Sequence, residues 1–286
     1  MRVTVLVENT SGPLTAVAPE FGLSLLVEAK AATVLLDTGS SGLFARNANA
    51  LGIDLAAVDW LVLSHGHFDH GGGLAAFFEQ NKHAPVIMRR GAERPFYGSA
   101  LPGLPNVLHR AGLVTRYIGL NAEVLRRYAE RIRWIDANTE LCPSVTALTA
   151  IPHIHCLPAG NRHLLAECDG RFLPDDLSHE LVLVMEHDAG AVVFTGCAHN
   201  GVLNMLEAAL LPKPGRPISS VVGGFHLGVP RSAPTPEVQT VGRALRQRVT
   251  GTVYTGHCTG ARAVGVLQAE LGPRLKALHT GMQFEL

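Results

Sequence analysis

Between Leu61 and Leu74 the chain reads LVLSHGHFDHGGGL, a run that few folds can accommodate. An apolar strand ends at Ser64, and His65, His67, Asp69 and His70 follow at once. Three glycines then let the backbone turn into a helix. Imidazoles beside a carboxylate suit zinc, iron or manganese, and without nearby thiolates the cluster does not read as a structural Cys-type zinc site. In an extended segment His65, His67 and Asp69 would point one way and His70 the other. In a tight loop the same residues can serve two adjacent metals, with His65 and His67 on one and Asp69 and His70 on the other.

The composition is compatible with a metalloenzyme and excludes several other classes. The 286 residues, 47% of them apolar, are enough for one large α/β domain or two small ones. Lys plus Arg equals Asp plus Glu at 24 each, which argues against a broad basic surface for nucleic acid. Five cysteines form no CxxC pair, and an odd number fits a reducing compartment better than a disulfide scaffold. The start, MRVTVLVENT, reads as a strand and a turn rather than a signal peptide. No segment approaches the roughly 20 apolar residues that span a bilayer. The expectations are a cytoplasmic setting, a small-molecule substrate, and neither nucleic acid nor membrane as partner; nothing indicates an oligomeric state. Histidine is the unusual feature, with 14 in all, many beside Asp, Gly or Cys in turn-like segments.

Apolar runs rich in β-branched residues predict strands at 2–7, 23–28, 33–36, 60–64 and 85–88. Others fall at 145–149, 181–186, 191–195, 218–222 and 252–255, with HDAG at 187–190 as a hairpin turn. Helices are predicted at 42–51, 72–80, 122–132, 201–210, 235–248 and 261–271. Two packed sheets with helices outside would satisfy this α/β order, and so would a doubly wound sheet. Residues 91–121, with Gly, Pro and aromatics but little periodicity, read either as an insertion covering a site or as a surface connection.

The metal-ligand segment resembles the metallo-β-lactamase superfamily, whose His-x-His-x-Asp-His signature follows a strand in this way. Other motifs agree in order. LLDTGSSG (35–42) is similar to the first motif, which gives Asp37 the role of orienting a ligand rather than binding metal. In PDDLSHELVLVMEHDAGAVVFTGC, His179 stands just before a strand, where the resemblance implies a third ligand for the first metal. The fourth motif usually reads Thr-Gly-Asp, with the aspartate bridging two metals. Here TGCAHNGVLN (195–204) puts Cys197 in that place and His199 two residues on. Either Cys197 bridges as a thiolate, since coordination lowers a thiol pKa far below about 8.5, or it packs as a small apolar residue while His199 turns into the site. VYTGHCTG (253–260) resembles the last motif and supplies His257 to the second metal. His226, in VVGGFHLG (221–228), has no counterpart among the usual ligands. It is a candidate to hold substrate, donate a proton, replace a missing ligand or serve structure alone.

GCAHNG, GGFHL and HCTG, with DD-x-x-HE ahead of them, resemble one branch of that superfamily. The branch is described with dihydropteroate-synthase-like members and includes an archaeal enzyme of methanopterin biosynthesis. The resemblance spans Val5 to Gly260 and implies a single-domain αββα sandwich: two mixed β-sheets packed face to face with helices outside. It also implies two divalent metal ions, zinc foremost, with iron or manganese as alternatives. The other histidines, among them His83, His109, His153, His155, His163, His187 and His279, read as ordinary, and PHIHCL (152–157) as a strand near the pocket. Arg89–Arg90 and Arg126–Arg127 read as solvated pairs.

The activity expected is metal-assisted hydrolysis or group transfer. Asp69 would bind the second metal and orient a water nucleophile, while His199 and His226 could protonate a leaving group. A pterin-directed transferase is the second reading; Phe68, Phe96, Tyr97 and Phe225 could wall a flat pocket. A non-catalytic metal sensor is the third, and only Cys197 in place of aspartate leans that way.

Overall fold

A computed structural model describes residues 1–101, 103, 108–109, 111–112, 114–228 and 233–286. The chain opens with β1 (Arg2–Val7), β2 (Ser24–Glu28), β3 (Thr33–Leu36), β4 (Trp60–Leu63) and β5 (Val86–Arg89). Next come β6 (Phe96–Ser99), β7 (Thr115–Tyr117), β8 (Ile132–Ile135), β9 (Thr139–Cys142) and β10 (Val145–Leu148). The remainder are β11 (Leu164–Cys168), β12 (Arg171–Pro174), β13 (Val182–His187), β14 (Gly190–Phe194), β15 (Ile218–Gly223), β16 (Val253–Thr255), β17 (Leu275–Ala277) and β18 (Gln283–Glu285). The helices are α1 (Leu43–Ala50), α2 (Phe68–Gly71), α3 (Leu74–Gln80), α4 (Ala122–Arg127), α5 (Val202–Leu210), α6 (Thr235–Arg248) and α7 (Ala261–Leu271).

Two seven-stranded sheets form, in the orders β18-β1-β2-β3-β4-β5-β8 and β17-β16-β15-β14-β13-β10-β9. Each is mixed: β3 to β8 run parallel in the first and β14 to β17 in the second, and antiparallel strands complete both. The sandwich, not the doubly wound sheet, is the outcome. Its centre is filled by Val3, Leu25, Val34 and Val62 from one sheet against Leu183, Phe194 and Val222 from the other. Leu35 and Leu61 turn the opposite way, onto Phe44 of α1 and Phe77 of α3. Val193 and Val221 do the same beneath α5, α6 and α7. Burial on both faces explains why these strands read as continuous apolar runs rather than alternating ones.

Three differences from expectation have local causes. The helix expected over 122–132 begins as predicted, with Asn121 accepting from the Glu123 and Val124 amides, but stops at Arg127. Ile132 and Ile135 are needed inside, where β8 pairs with β5. PHIHCL forms no strand; its backbone is tied down by Asn204, whose Oδ1 accepts from the Ile154 and His155 amides. Residues 91–121 contribute β6 and β7 to a third sheet, ordered β12-β11-β6-β7, whose short strands show little alternation to read. Part of that segment lies outside the described residues. Among the described residues, no helix is long and apolar enough to cross a membrane.

Candidate metal centre

Apart from His179, which precedes β13, the residues singled out around the two large sheets sit just beyond the C-terminal ends of parallel strands. Asp37 follows β3, and His65 to His70 follow β4; Cys197 and His199 follow β14, His226 follows β15 and His257 follows β16. Parallel strands release their chains at one end of a sheet, so the loops converge there. Close approach demands glycine: a Cβ on Gly196 would collide with Ser64 Oγ.

The first loop is organised by Asp37, buried and held at φ 61°. Its Oδ1 accepts from the Ser64 amide at 2.8 Å, and its Oδ2 accepts from Ser64 Oγ and from His70 Nδ1, each at 2.7 Å. Ser64 Oγ has spent its proton on Asp37, so it accepts from His65 Nδ1 at 2.9 Å. These bonds place the ring protons of His65 and His70 on Nδ1 and leave each Nε2 with a free lone pair. His257 and His199 are treated alike from other directions. Asn9 Oδ1 accepts from His257 Nδ1 at 3.0 Å, and Asn161 Oδ1 accepts from His199 Nδ1 at 3.4 Å.

The four free nitrogens then face one another. His70 Nε2 lies 3.2 Å from His257 Nε2, and His65 Nε2 lies 3.3 Å from His199 Nε2. Across the gap between His65 and His199, two imidazoles that burial keeps neutral have no proton to share, and their lone pairs repel. A cation resolves both contacts: nitrogens bound at 2.0–2.1 Å to a tetrahedral zinc lie about 3.3 Å apart. Asp69 Oδ2 is 3.3 Å from His257 Nε2, and Cys197 Sγ is 3.2 Å from His70 Nε2. The ligand atoms of Asp69, His70, Cys197 and His257 all lie within 4.8 Å of one another, as do those of His65, Cys197 and His199. Cys197 belongs to both groups. The His67 ring packs beside the second group, its centroid 4.6 Å from that of His65 and 4.9 Å from that of His199, while its ligand atom clusters within 4.8 Å of those of Asp175 and His179. Its Nε2 is buried without a hydrogen-bond partner. The alternatives posed for Cys197 and His199 are therefore not exclusive, since both turn inward.

Electrostatics follows from burial. Desolvation, then the neighbouring imidazoles, pushes His65 and His199 well below the ordinary histidine range, and burial with His179 takes His67 down to about 3. His70 goes the other way. Burial would lower it, but Asp37 and Asp69 outweigh that and raise it to about 9. Burial drives the Cys197 thiol up; a bound cation would reverse that, as it does for any coordinating thiol.

His179 stands apart from the His65 and His199 group, clustered instead with His67 and Asp175. Its Nδ1 accepts from the Gly66 amide at 2.9 Å and its Nε2 donates to Asp175 Oδ2 at 3.0 Å. It braces the backbone between His65 and His67, and His199 faces the cluster. The neighbouring Glu180, buried, braces the opposite loop. Its carboxylate accepts from the His199 amide at 2.8 Å and from the Asn200 amide at 2.7 Å. Glu8 accepts from the His257 amide. Glu8, Asn9, Asn161, Asp175 and Glu180 escaped the sequence reading, although DD-x-x-HE already contained Asp175 and Glu180.

His226 lies at φ 50°, its ring centroid 4.3 Å from that of His199, and both of its nitrogens are buried without partners. Its amide donates to Cys258 Sγ at 3.3 Å, which makes Cys258 a support for this loop. A cavity of about 280 Å³ opens over His67, Asp69, Cys197, His199 and His226. Of the expected aromatic walls, Phe68 lines it. Phe96 is buried behind His179, Tyr97 bonds Glu167 on the small sheet, and Phe225 lines a separate groove. Phe21 and His163 line the cavity instead. Arg89 is not simply solvated either, for its guanidinium donates to the Glu180 carbonyl at 2.8 Å.

An αββα sandwich with histidines, a carboxylate and a thiol gathered at its strand ends defines a class of metal-binding proteins. The chain belongs to the metallo-beta-lactamase superfamily, whose sequence profile matches residues 17–257. The crystal structure of Tm1679, described as a metal-dependent hydrolase of the beta-lactamase superfamily, is similar with a TM-score of 0.81 and 30% identity, covering 100% of this chain and 99% of that one. The chain is 25% identical to a Methanocaldococcus jannaschii protein named 7,8-dihydropterin-6-methyl-4-(beta-D-ribofuranosyl)-aminobenzene-5'-phosphate synthase, over 98% of this chain and 95% of that one. Zn(2+)-bound PqqB from Methylobacterium extorquens shares the fold at a TM-score of 0.57 and 11% identity, with 100% of each chain covered.

Proposed function

We propose that the chain is a hydrolase or group-transfer enzyme that acts on a small molecule through a metal-activated water at a dinuclear centre. The observation that carries this reading is the pair of facing imidazole nitrogens, His70 with His257 at 3.2 Å and His65 with His199 at 3.3 Å. His65, His67 and His199 would hold one ion, Asp69, His70 and His257 the other, with Cys197 between them. Mixed nitrogen, oxygen and sulfur donors favour zinc, ahead of iron or manganese. Divalent ions there would supply a water acidified toward about pH 7 and a polarised carbonyl or phosphoryl oxygen. The chain's own part is orientation and proton delivery. Asp69 lines the cavity and orients the nucleophile, and its carboxylate is held well below the usual range by His70 and His257 despite burial. His226, with both nitrogens free and the same cavity beside it, delivers a proton to the leaving group.

Metal analysis of protein purified without added metal tests the reading; two ions per chain are expected. The double variant His67→Ala/Asp69→Ala should lose both metal and hydrolysis of activated esters and phosphodiesters. A double variant that stays stoichiometrically metallated and active overturns the assignment. The synthase relative supports a second reading, transfer to a pterin-like acceptor. Quenching of pterin fluorescence on binding would favour it, and no response across a pterin series would count against it.

A further inference from the structure

The cavity over the metal ligands is bounded on its far side by the small sheet, and that wall carries an unexplained polar group. Ser99, at the end of β6, is 4% exposed, lines the cavity, and its Oγ has no hydrogen-bond partner. Both nitrogens of His226, which lines the same cavity and is 5% exposed, are likewise unpartnered. An unsatisfied buried polar atom costs about 1–3 kcal/mol, so three in one small cavity mark a place where a ligand supplies the partners. The surfaces between them are apolar: Phe21, Phe68, Ile118 and Leu164. Phe21 and Phe68 are stacked, with ring centroids 6.4 Å apart and planes inclined by 29°.

We propose that this cavity is a specificity pocket for a compact, flat, ring-bearing group attached to the reacting bond, with Ser99 Oγ hydrogen-bonding a polar atom on the ring's edge. The proposal rests on the metal-centre reading and adds the class of substrate. The two phenyl rings and branched aliphatic side chains favour a flat conjugated ring over a flexible chain, because ring faces stack and lose little conformational freedom. At about 280 Å³ the space falls just below the usual range of small-molecule sites and suits one or two fused rings. Ser99 stands on the small sheet rather than in the metal-ligand loops, so its part is to select the group.

A set of hydroxamates tests this on the metal-loaded protein, since each presents the same metal-binding head. Benzohydroxamate should bind at least tenfold more tightly than acetohydroxamate, and ring-hydroxylated benzohydroxamates tighter again for one position of the hydroxyl. Ser99→Ala should remove the hydroxyl's gain while keeping most of the ring's. Ser99→Leu, or Ile118→Trp beside the same small sheet, should bring benzohydroxamate to within about twofold of acetohydroxamate by filling the space. Equal binding of the first two probes by the unmodified protein overturns the pocket while leaving the metal centre standing. A hydroxyl gain that survives Ser99→Ala at every position overturns the role of Ser99. If no hydroxamate binds the metal-loaded protein, the pocket is overturned, while the metal centre is judged separately by the counted ions.

Discussion

The two halves of the centre reach the same end by different means. On the first sheet, four ligands lie between His65 and His70, and one residue, Asp37, sets two of their rings through direct or Ser64-relayed bonds. On the second sheet Cys197, His199, His226 and His257 come from three strand ends, and each support arrives separately. Glu180 and Asn161 hold His199, whereas Glu8 and Asn9 hold His257. The first half is one cooperative unit; the second is assembled from independent contacts. A single substitution should therefore be felt throughout the first half but only locally in the second.

Asp37→Ala is the strongest way to break that contrast. It strips acceptors from the Ser64 amide, Ser64 Oγ and His70 Nδ1 at once. Outer partners of metal ligands typically contribute 10–100-fold in metal affinity each. Both ions should be lost together, with affinity down by at least about 100-fold, since the proposed arrangement puts His65 and His70 on different ions. Chelator competition with metal counting measures this, and a variant that sheds one ion only would refute the idea of a shared hub.

Glu180→Ala should act on one side. The His199 and Asn200 amides lose their acceptor, at about 1–3 kcal/mol for each buried group. The ion held by His65, His67 and His199 should weaken by about tenfold or more, while the one at Asp69, His70 and His257 stays. In cobalt-loaded protein the two sites can be followed by their visible spectra. Equal loss of both ions would mean that Glu180 matters to the fold rather than to its loop.

Acid should separate the halves as well. In metal-free protein, burial and mutual repulsion keep His65, His67 and His199 neutral, with His67 lowered from 6.5 to about 3. Between those values the unfolded chain binds more protons than the folded one, so stability rises with pH across the window and is lost as pH falls through it. His70, raised from 6.5 to about 9, works in the opposite sense. Its contribution is complete below 6.5 and disappears as pH rises through 9. Melting of chelator-treated protein should peak between these limits and fall more steeply on the acid side, where three imidazoles act together. A flat profile would contradict the neutral state assigned to them.

The same contrast explains what was legible in the sequence. His65, His67, Asp69 and His70 were readable because chain neighbours at the end of a strand are neighbours in space. The long strands and α6 were readable because apolar periodicity survives burial on either face. Asn9 and His257 stand 248 residues apart, and no local pattern could pair them. The partners of His179 were hidden for the same reason. Position before a strand brings its ring to the centre, but only Gly66 and Asp175, from two other segments, determine what its nitrogens bond. The small sheet was missed because its short strands offer no alternation to count.

Asn9→Ala is the mildest test and the most exacting one for independence within the second half. It removes the acceptor that fixes the His257 tautomer, at 3.0 Å, but leaves Glu8 holding the His257 backbone. Asn9 Oδ1 also accepts from the Gly22 amide at 3.0 Å, beside Phe21 at the cavity wall. The ion at Asp69, His70 and His257 should weaken by a few-fold only, because Asp69, His70 and Cys197 still present their donors in place. The His65–His199 side should be unaffected, since no hydrogen bond joins Asn9 or Glu8 to Glu180 or Asn161. Selective weakening of one ion, seen by titration of each site in turn, supports separate supports for separate ligands. Weakening of both would mean that the two halves are mechanically joined, with Cys197, the residue in both ligand groups, as the joint.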